Sequence, residues 1–397
     1  MTQQGEIPVH TRRDRYDPVP ELARLRAERP LAERANVSRG TAGRLEGWLA
    51  TGFDEVREVL GGSERFSTLP PADSKAESLE LVQAGNLLRY DPPEHTRLRS
   101  MLTPEFTVRR MRRMAPHIEA ITDDCLDTLE EAGPPADLMR HFAWSVPAMV
   151  TCELLGIPRD DRAELARRLD ELNRHTGTHH GHSASNVLFR HMIHFAALQR
   201  KNPGEELIGM LVREHGDDIG NQELAGISLS LMAAGIENIA CMLGPGIQVL
   251  LEHPDQLALL RERPELIDQA VEELLRYVSV IPTASPRTAL EDIEVAGHVV
   301  KAGERVVCSL FAANRLQDPD GPRDDFDITR TPVSHVAFGH GIHHCVGAPL
   351  ARMVLRTAYP ALLRRFPGLR LAIPAQEISF RPAQSLIYGV NDLPVTW

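Results

Sequence analysis

One apolar stretch constrains this chain more than any other feature. From Asn221 through ELAGISLSLMAAGIENIACMLGPGIQVLLEH to His253, the pattern predicts a single long helix. At about 1.5 Å per residue it extends more than roughly 40 Å, the width of a whole domain. It is apolar on nearly every face, so it belongs in the middle of a fold. Glu237 and Asn238 nevertheless sit at its centre beside Gly235, where polar groups cost stability unless they have partners or a task. Two readings stand at this point: a core helix with a polar pair bonded to a neighbour, and a helix whose polar step faces a site.

The remaining chain supplies the layers around such a helix. Helical spacing recurs in PVPELARLRAERP, in FDEVREVLGG from Phe53, in TVRRMRRMAPHIEAITDDCLDTLEEAG from Thr107 and in DDRAELARRLDELNRH from Asp160. Strand signals are fewer: RLEGWLAT, DIEVAGHVVKAGERVVCSL and GLRLAI. The fold class expected is mainly α with small β-sheets. No repeat, low-complexity tract or linker divides the 397 residues, so one domain spanning 1–397 is expected. Acidic residues outnumber basic ones, 55 to 44, and the formal charge of −11 repels a phosphate backbone, which argues against nucleic acid as a partner. Five scattered cysteines after a polar start point to a reducing cytoplasm without a disulfide framework. With no run that approaches about 20 uninterrupted apolar residues, no membrane association is expected.

The chemistry is concentrated between Phe338 and Arg352, FGHGIHHCVGAPLAR. Cys345 follows Gly339 and Gly341 in a loop and opens a helix within two residues. Backbone N–H groups and the positive helix end there favour a thiolate, suited to a nucleophile or to a metal ligand. A lone cysteine would more often be a small buried hydrophobe.

This cysteine has company. Phe338, Gly341, Cys345 and Gly347 match F-x-x-G-x-x-x-C-x-G, and on that signature the chain resembles the cytochrome P-450 family. EELLRY, with Glu273 and Arg276, resembles the family's E-x-x-R pair, and Ala234 to Asn238 (AGIEN) resembles its oxygen-binding groove. The resemblance implies a single-domain haem-thiolate fold that binds haem b, with Cys345 as the axial ligand of the iron and O2 as co-substrate. Phe338 and Gly339 would border the ligand loop, Gly347 would let backbone approach the sulfur, and Ala234 and Gly235 would line the groove. His95, Arg99, Arg287 and His343 stand at positions that contact the haem propionates in relatives. Glu273 and Arg276 would form a structural lock, with Arg323 in GPRDDFDITR as candidate third member. Most family members carry threonine where this chain has Asn238. An amide donates a hydrogen bond but does not relay a proton as a hydroxyl does. Glu237 remains the candidate for proton delivery.

Longer strings narrow the resemblance: YDPPEHTRLR, LTPEFTVRRMRRMAP, CELLGIPRDDR, HVAFGHGIHHCVGA, RRFPGLRLA and PVTW. They resemble bacterial cytochromes that cross-link phenol rings of glycopeptide antibiotics through aryl ether or carbon–carbon bonds. Such relatives act on a heptapeptide held by a carrier domain of a nonribosomal peptide synthetase and dock on a condensation-like domain. The docking motif would here be Pro158, Arg159, Asp160, Asp161 and Arg162, a segment that also reads as an ordinary helix start. The string TRRDRYDPVPELARLRAERP leans to the D-O-E ring closure. Arg109, Arg112 and Arg113 form a basic helix face that fits either an acidic ferredoxin-type electron donor or plain solvation. A monomer is expected.

Three alternatives accompany this reading. A hydroxylase of a free small-molecule natural product would share the haem site. A haem protein without turnover would also share it. A zinc-binding module would use His175, His179, His180 and His182, with His191 and His194 following.

Overall fold

The computed structural model describes residues 7–34, 36–37, 46–71, 84–162, 165, 179–315, 317–318, 321–322, 324–331, 334–383 and 385–397. Eight helices position the site: α1 (Phe53–Gly61), α2 (Glu94–Leu102), α3 (Val108–Ala132), α4 (Ser145–Leu155), α5 (His179–Lys201), α6 (Asn221–Glu252), α7 (Ile267–Val278) and α8 (Ala348–Arg365). The fold is mainly helical with small sheets, as the sequence predicts.

The long apolar stretch forms as one helix, α6. Its start is fixed by the Glu223 carboxylate, which accepts from the Gly220 N–H at 3.0 Å and satisfies a donor that has no helical partner. Helices α4, α5, α7 and α8 pack around it, and its side chains from Ile239 to Leu250 are all buried. Gly246 has a packing reason: the Tyr359 hydroxyl of α8 lies against it and donates to the Met242 carbonyl at 2.5 Å, and a Cβ there would overlap that hydroxyl. By length and hydropathy α6 would suffice for a membrane span, contrary to the sequence expectation, but protein covers most of it.

Helix α3 shows how pattern becomes packing. Thr107 caps it by accepting from the Arg110 N–H, and Met111, Ile118, Leu126 and Leu129, spaced by threes, sevens and eights, face the core. The predicted helix from Asp160 lies largely outside the described residues.

Five strands, β1 (Leu31–Arg34), β2 (Gly47–Ala50), β3 (Phe66–Ser67), β4 (Arg287–Ala289) and β5 (Arg305–Cys308), form one sheet in the order β1-β2-β5-β4-β3. Only the β2–β5 pair is parallel, with Val306 opposite Trp48. The run DIEVAGHVVKAGERVVCSL divides into the hairpin Ile293–Val295 and His298–Val300, followed by β5. The piece GLRLAI contributes only Arg370–Leu371, paired with Pro394–Thr396. A helical core surrounds α6, and a second apolar cluster lies under the sheet. The loop from Phe338 to Gly347 lies between these two parts.

Candidate active site

Local backbone geometry builds the cysteine loop. The Gly339 N–H donates to Val336 O at 2.8 Å, the His344 N–H to Gly341 O at 3.0 Å, and the Cys345 N–H to Phe338 O at 2.9 Å, which closes the loop on itself. Gly339 and Gly341 both have φ of +72°, where a side chain is strained, and a Cβ on Gly341 would also overlap the Leu60 carbonyl of α1. Gly347 differs from the expectation. Its φ is −81° and a Cβ would sit 4.0 Å from the Cys345 sulfur, an ordinary contact. Its contribution is therefore its N–H at the start of α8.

Among the five cysteines Cys345 alone has an accessible side chain, although protein still surrounds the sulfur. Desolvation raises its thiol pKa, while the N–H groups of Gly347 and Ala348 and the charges of Arg99 and Arg352 favour the thiolate. Burial pushes Cys152 up to about 11 and Cys125, Cys241 and Cys308 up to about 12, so these four pack as small hydrophobes.

A donor-rich flank adjoins the loop. His95 from α2 and His343 meet with ring centroids 4.3 Å apart and planes tilted by 56°, and Arg99, one turn further along α2, faces the same region. Arg287 on β4 is buried and donates to Ser285 O at 2.9 Å. The nearby Asp91 carboxylate is already taken by Ser67 and by the N–H and hydroxyl of Thr68. His95 Nε2 and both ring nitrogens of His343 are buried without a partner. Desolvation, then Arg287 and His95, push His343 down to about 3. A buried polar atom left unpaired costs about 1–3 kcal/mol, so this cluster is built to receive an anion. The residues present therefore fit a carboxylate-bearing cofactor.

Helix α6 carries the polar step. Ala233 and Ala234 are exposed, and Gly235, Glu237 and Asn238 are half-buried, in the middle of a helix otherwise enclosed. Gly235 has a packing reason, since a Cβ there would press on Thr151 of α4 at 3.1 Å. Asn238 Oδ1 is buried with no partner. Glu237 has one that the sequence did not reveal: Arg381 Nη1 donates to its Oε1 at 2.6 Å. Arg381 comes from the C-terminal segment, and its guanidinium carbon lies 5.6 Å from the Trp144 ring centre. The two readings of the polar step merge, because Glu237 is bonded to a neighbour and Asn238 is not.

Glu273 and Arg276 form no solvated helix face. Both are buried, and Arg276 donates from Nε and Nη2 to the two carboxylate oxygens, each at 2.7 Å. Arg276 also reaches Asn314 O and Asp325 O, each at 3.0 Å. The candidate third member, Arg323, lies outside the described residues; among the described residues Arg330 joins the pair, with Nε 3.3 Å from Glu273 Oε1.

The surface motifs divide as well. Pro158, Arg159, Asp160 and Asp161 are exposed. Arg162 turns inward to Glu153 Oε2 at 2.8 Å and Ile157 O at 3.0 Å, so it serves the fold. Arg109, Arg112 and Arg113 are exposed. His175 and the side chains of His179, His180 and His182 lie outside the described residues.

With this geometry in place, comparison with known proteins defines the class. The Cytochrome P450 family model matches residues 196–370. Cytochrome P450 165C4 of Amycolatopsis orientalis is 45% identical over 390 residues, 97% of this chain and 95% of the relative. The chain belongs to the cytochrome P450 family and is a haem-thiolate oxidoreductase that uses O2. Among solved structures it is similar to OxyC, described as implicated in an oxidative C–C coupling reaction during vancomycin biosynthesis, with a TM-score of 0.88, 44% identity and coverage of 98% of this chain and 97% of that one. It is also similar to the cytochrome in the complex of the X-domain and OxyB from teicoplanin biosynthesis, with a TM-score of 0.87, 48% identity and coverage of 99% and 100%.

Proposed function

We propose that this protein closes an aryl cross-link in a glycopeptide-antibiotic precursor, by oxidative phenolic coupling of a heptapeptide bound to a peptide-synthetase carrier domain. The observation that carries the reading is similarity over nearly the whole chain to cytochromes of vancomycin and teicoplanin biosynthesis, one of them described by an oxidative coupling. Bound haem b supplies the oxidising chemistry. In this reading Cys345 holds the iron, Phe338 and the glycine turns shape the loop around the sulfur, and His95, Arg99, Arg287 and His343 hold the propionates. The Asn238 amide would donate a hydrogen bond in the groove but would not relay a proton as a hydroxyl does. Glu237, bonded to Arg381, is the carboxylate placed to deliver one. Closing the aryl ether breaks one phenol O–H and one aryl C–H and forms one C–O bond, with two hydrogens lost. O2, two further electrons and two protons then balance to two waters, with no oxygen inserted in product.

Electrons would come from a ferredoxin-type donor on the Arg109, Arg112 and Arg113 face, and recruitment would use the exposed part of the segment from Pro158 to Asp161. Residues 1–397 act as one unit and as a monomer in the cytoplasm. The ring we assign is the D-O-E aryl ether, on the string TRRDRYDPVPELARLRAERP.

The test is product mass. Incubated with electron donors, O2 and a carrier-bound heptapeptide, linear or bearing one ring, the enzyme should yield product lighter by two hydrogens. A product heavier by one oxygen overturns the coupling reading in favour of hydroxylation.

A further inference from the structure

Glu272 and Glu273 are neighbours on α7, yet they point to different tasks. Glu273 belongs to the buried lock with Arg276 and Arg330. Glu272 faces α8 and the start of the cysteine loop. Arg352 Nε and Nη2 donate to its Oε1 and Oε2 at 2.7 and 2.8 Å, a two-point pairing that fixes the guanidinium plane. The Arg352 guanidinium carbon lies 4.6 Å from the centre of the Phe338 ring. His335 Nε2 meets Glu272 Oε2 at 3.1 Å, and His335 Nδ1 accepts from the Ala337 N–H at 3.2 Å. That acceptance places the ring proton on Nε2, so His335 donates to Glu272. Arg356 Nη2 stands further off, 3.5 Å from Oε1, and is engaged by Asp268 at 3.0 Å. One carboxylate thus grips both ends of the segment from His335 to Phe338, and the Phe338 carbonyl accepts the Cys345 N–H.

We propose that Glu272 is a positioning residue for the haem ligand: through Arg352 and His335 it holds the Phe338 ring and the cysteine loop in place and balances the Arg352 charge near the sulfur. The inference rests on Cys345 being the haem ligand. Two consequences follow from the charges. Without the carboxylate, the positive Arg352, whose charge already favours the Cys345 thiolate, is unbalanced and favours the reduced, more negative centre. Without the guanidinium, the carboxylate is unbalanced and disfavours it.

The test is a spectroelectrochemical titration of the haem-loaded protein, with carbonyl spectra of the reduced form followed over time. Glu272→Gln should shift the reduction equilibrium toward the ferrous state by about tenfold, about 59 mV for one electron. Arg352→Gln should shift it the other way by a similar factor, and the double variant should return to within about threefold of wild type. Arg352→Lys keeps the charge but loses the planar fork. It should hold the equilibrium near wild type while its red-shifted carbonyl complex converts several-fold faster to the unshifted form. Arg356→Gln should change neither quantity. Shifts of one sign in both single variants, as general loosening of the fold gives, overturn the inference, and so do unchanged equilibria. If Glu272→Gln does not bind haem, Glu272→Asp with Arg352→Gln completes the comparison, since the first should stay near wild type and the second should not. A wild-type protein without the red-shifted carbonyl spectrum overturns the Cys345 reading itself, an outcome separate from the failure of the charge reversal.

Discussion

At the scale of single residues, Glu237 and Asn238 are adjacent but differently placed. Asn238 keeps a buried, unpartnered Oδ1, whereas Glu237 is anchored by Arg381. A carboxylate held through one oxygen by a guanidinium is oriented, and the adjacent positive charge bears on its readiness to take a proton. Arg381→Met is therefore expected to alter the coupling of electron use to product: peroxide released per reducing equivalent should change at least threefold while the carbonyl spectrum stays as in wild type. An unchanged ratio would remove Arg381 from proton delivery. Glu237 and Asn238 are legible in the sequence because a polar step in an apolar helix is visible locally. Arg381 is not, since nothing in FRPAQ signals that this segment returns to the middle of α6.

At the scale of elements, α7 carries two carboxylates that tie different parts of the chain together. Glu273 is buried with two arginines, and removing one side of a buried ion pair leaves an uncompensated charge at a cost of about 3–5 kcal/mol. Glu273→Gln should lower the denaturation midpoint accordingly, a loss read by chemical unfolding of the haem-loaded protein. Glu272 lies nearer the surface. Burial alone would raise its pKa, but hydrogen bonds from Arg352 and His335 outweigh this and hold it at about 2. A carboxylate depressed in the folded state adds stability that is fully present above its unfolded pKa and is lost as pH falls through the folded value. The contribution, of the order of 3 kcal/mol, should fade between about pH 4.5 and pH 2. Glu272→Gln should flatten the acid limb of the stability curve in that window and leave it unchanged in shape above it. The E-x-x-R pair was legible from EELLRY, but its burial and the approach of Arg330 to Glu273 were not. The segment before Arg330 lacks the periodicity that would single this arginine out.

At the scale of the whole molecule, the described surface separates residues free for partners from residues the fold has claimed. In the segment from Pro158 to Arg162 the first four are exposed, and Arg162 braces Glu153 and Ile157. Arg159→Glu combined with Asp161→Arg should weaken binding to a recruiting condensation-like domain at least tenfold in a titration, with haem spectrum and melting temperature unchanged. Arg162→Ala should instead lower stability by about 1–3 kcal/mol, because it deletes charge-assisted bonds to partly buried acceptors. Equal effects of both changes on binding and on stability would contradict this division.

By itself the sequence determined what depends on neighbours along the chain. The helix periodicity from Asn221 to His253, the glycine turns before Cys345 and the helix that opens behind it are encoded within a few residues of each other. Local geometry of that kind places a cysteine in a loop and a polar step in a core helix. Only the tertiary structure decided which distant groups meet them. Glu237 meets Arg381 across 144 positions, Glu273 meets Arg330 across 57, and Arg352 meets Glu272 across 80. An ion pair carries no periodicity and any arginine can make it. The choice among the many arginines here follows from packing: whichever one the surrounding helices and strands bring beside a half-buried carboxylate is held there, because leaving that charge alone costs more than ordering the side chain.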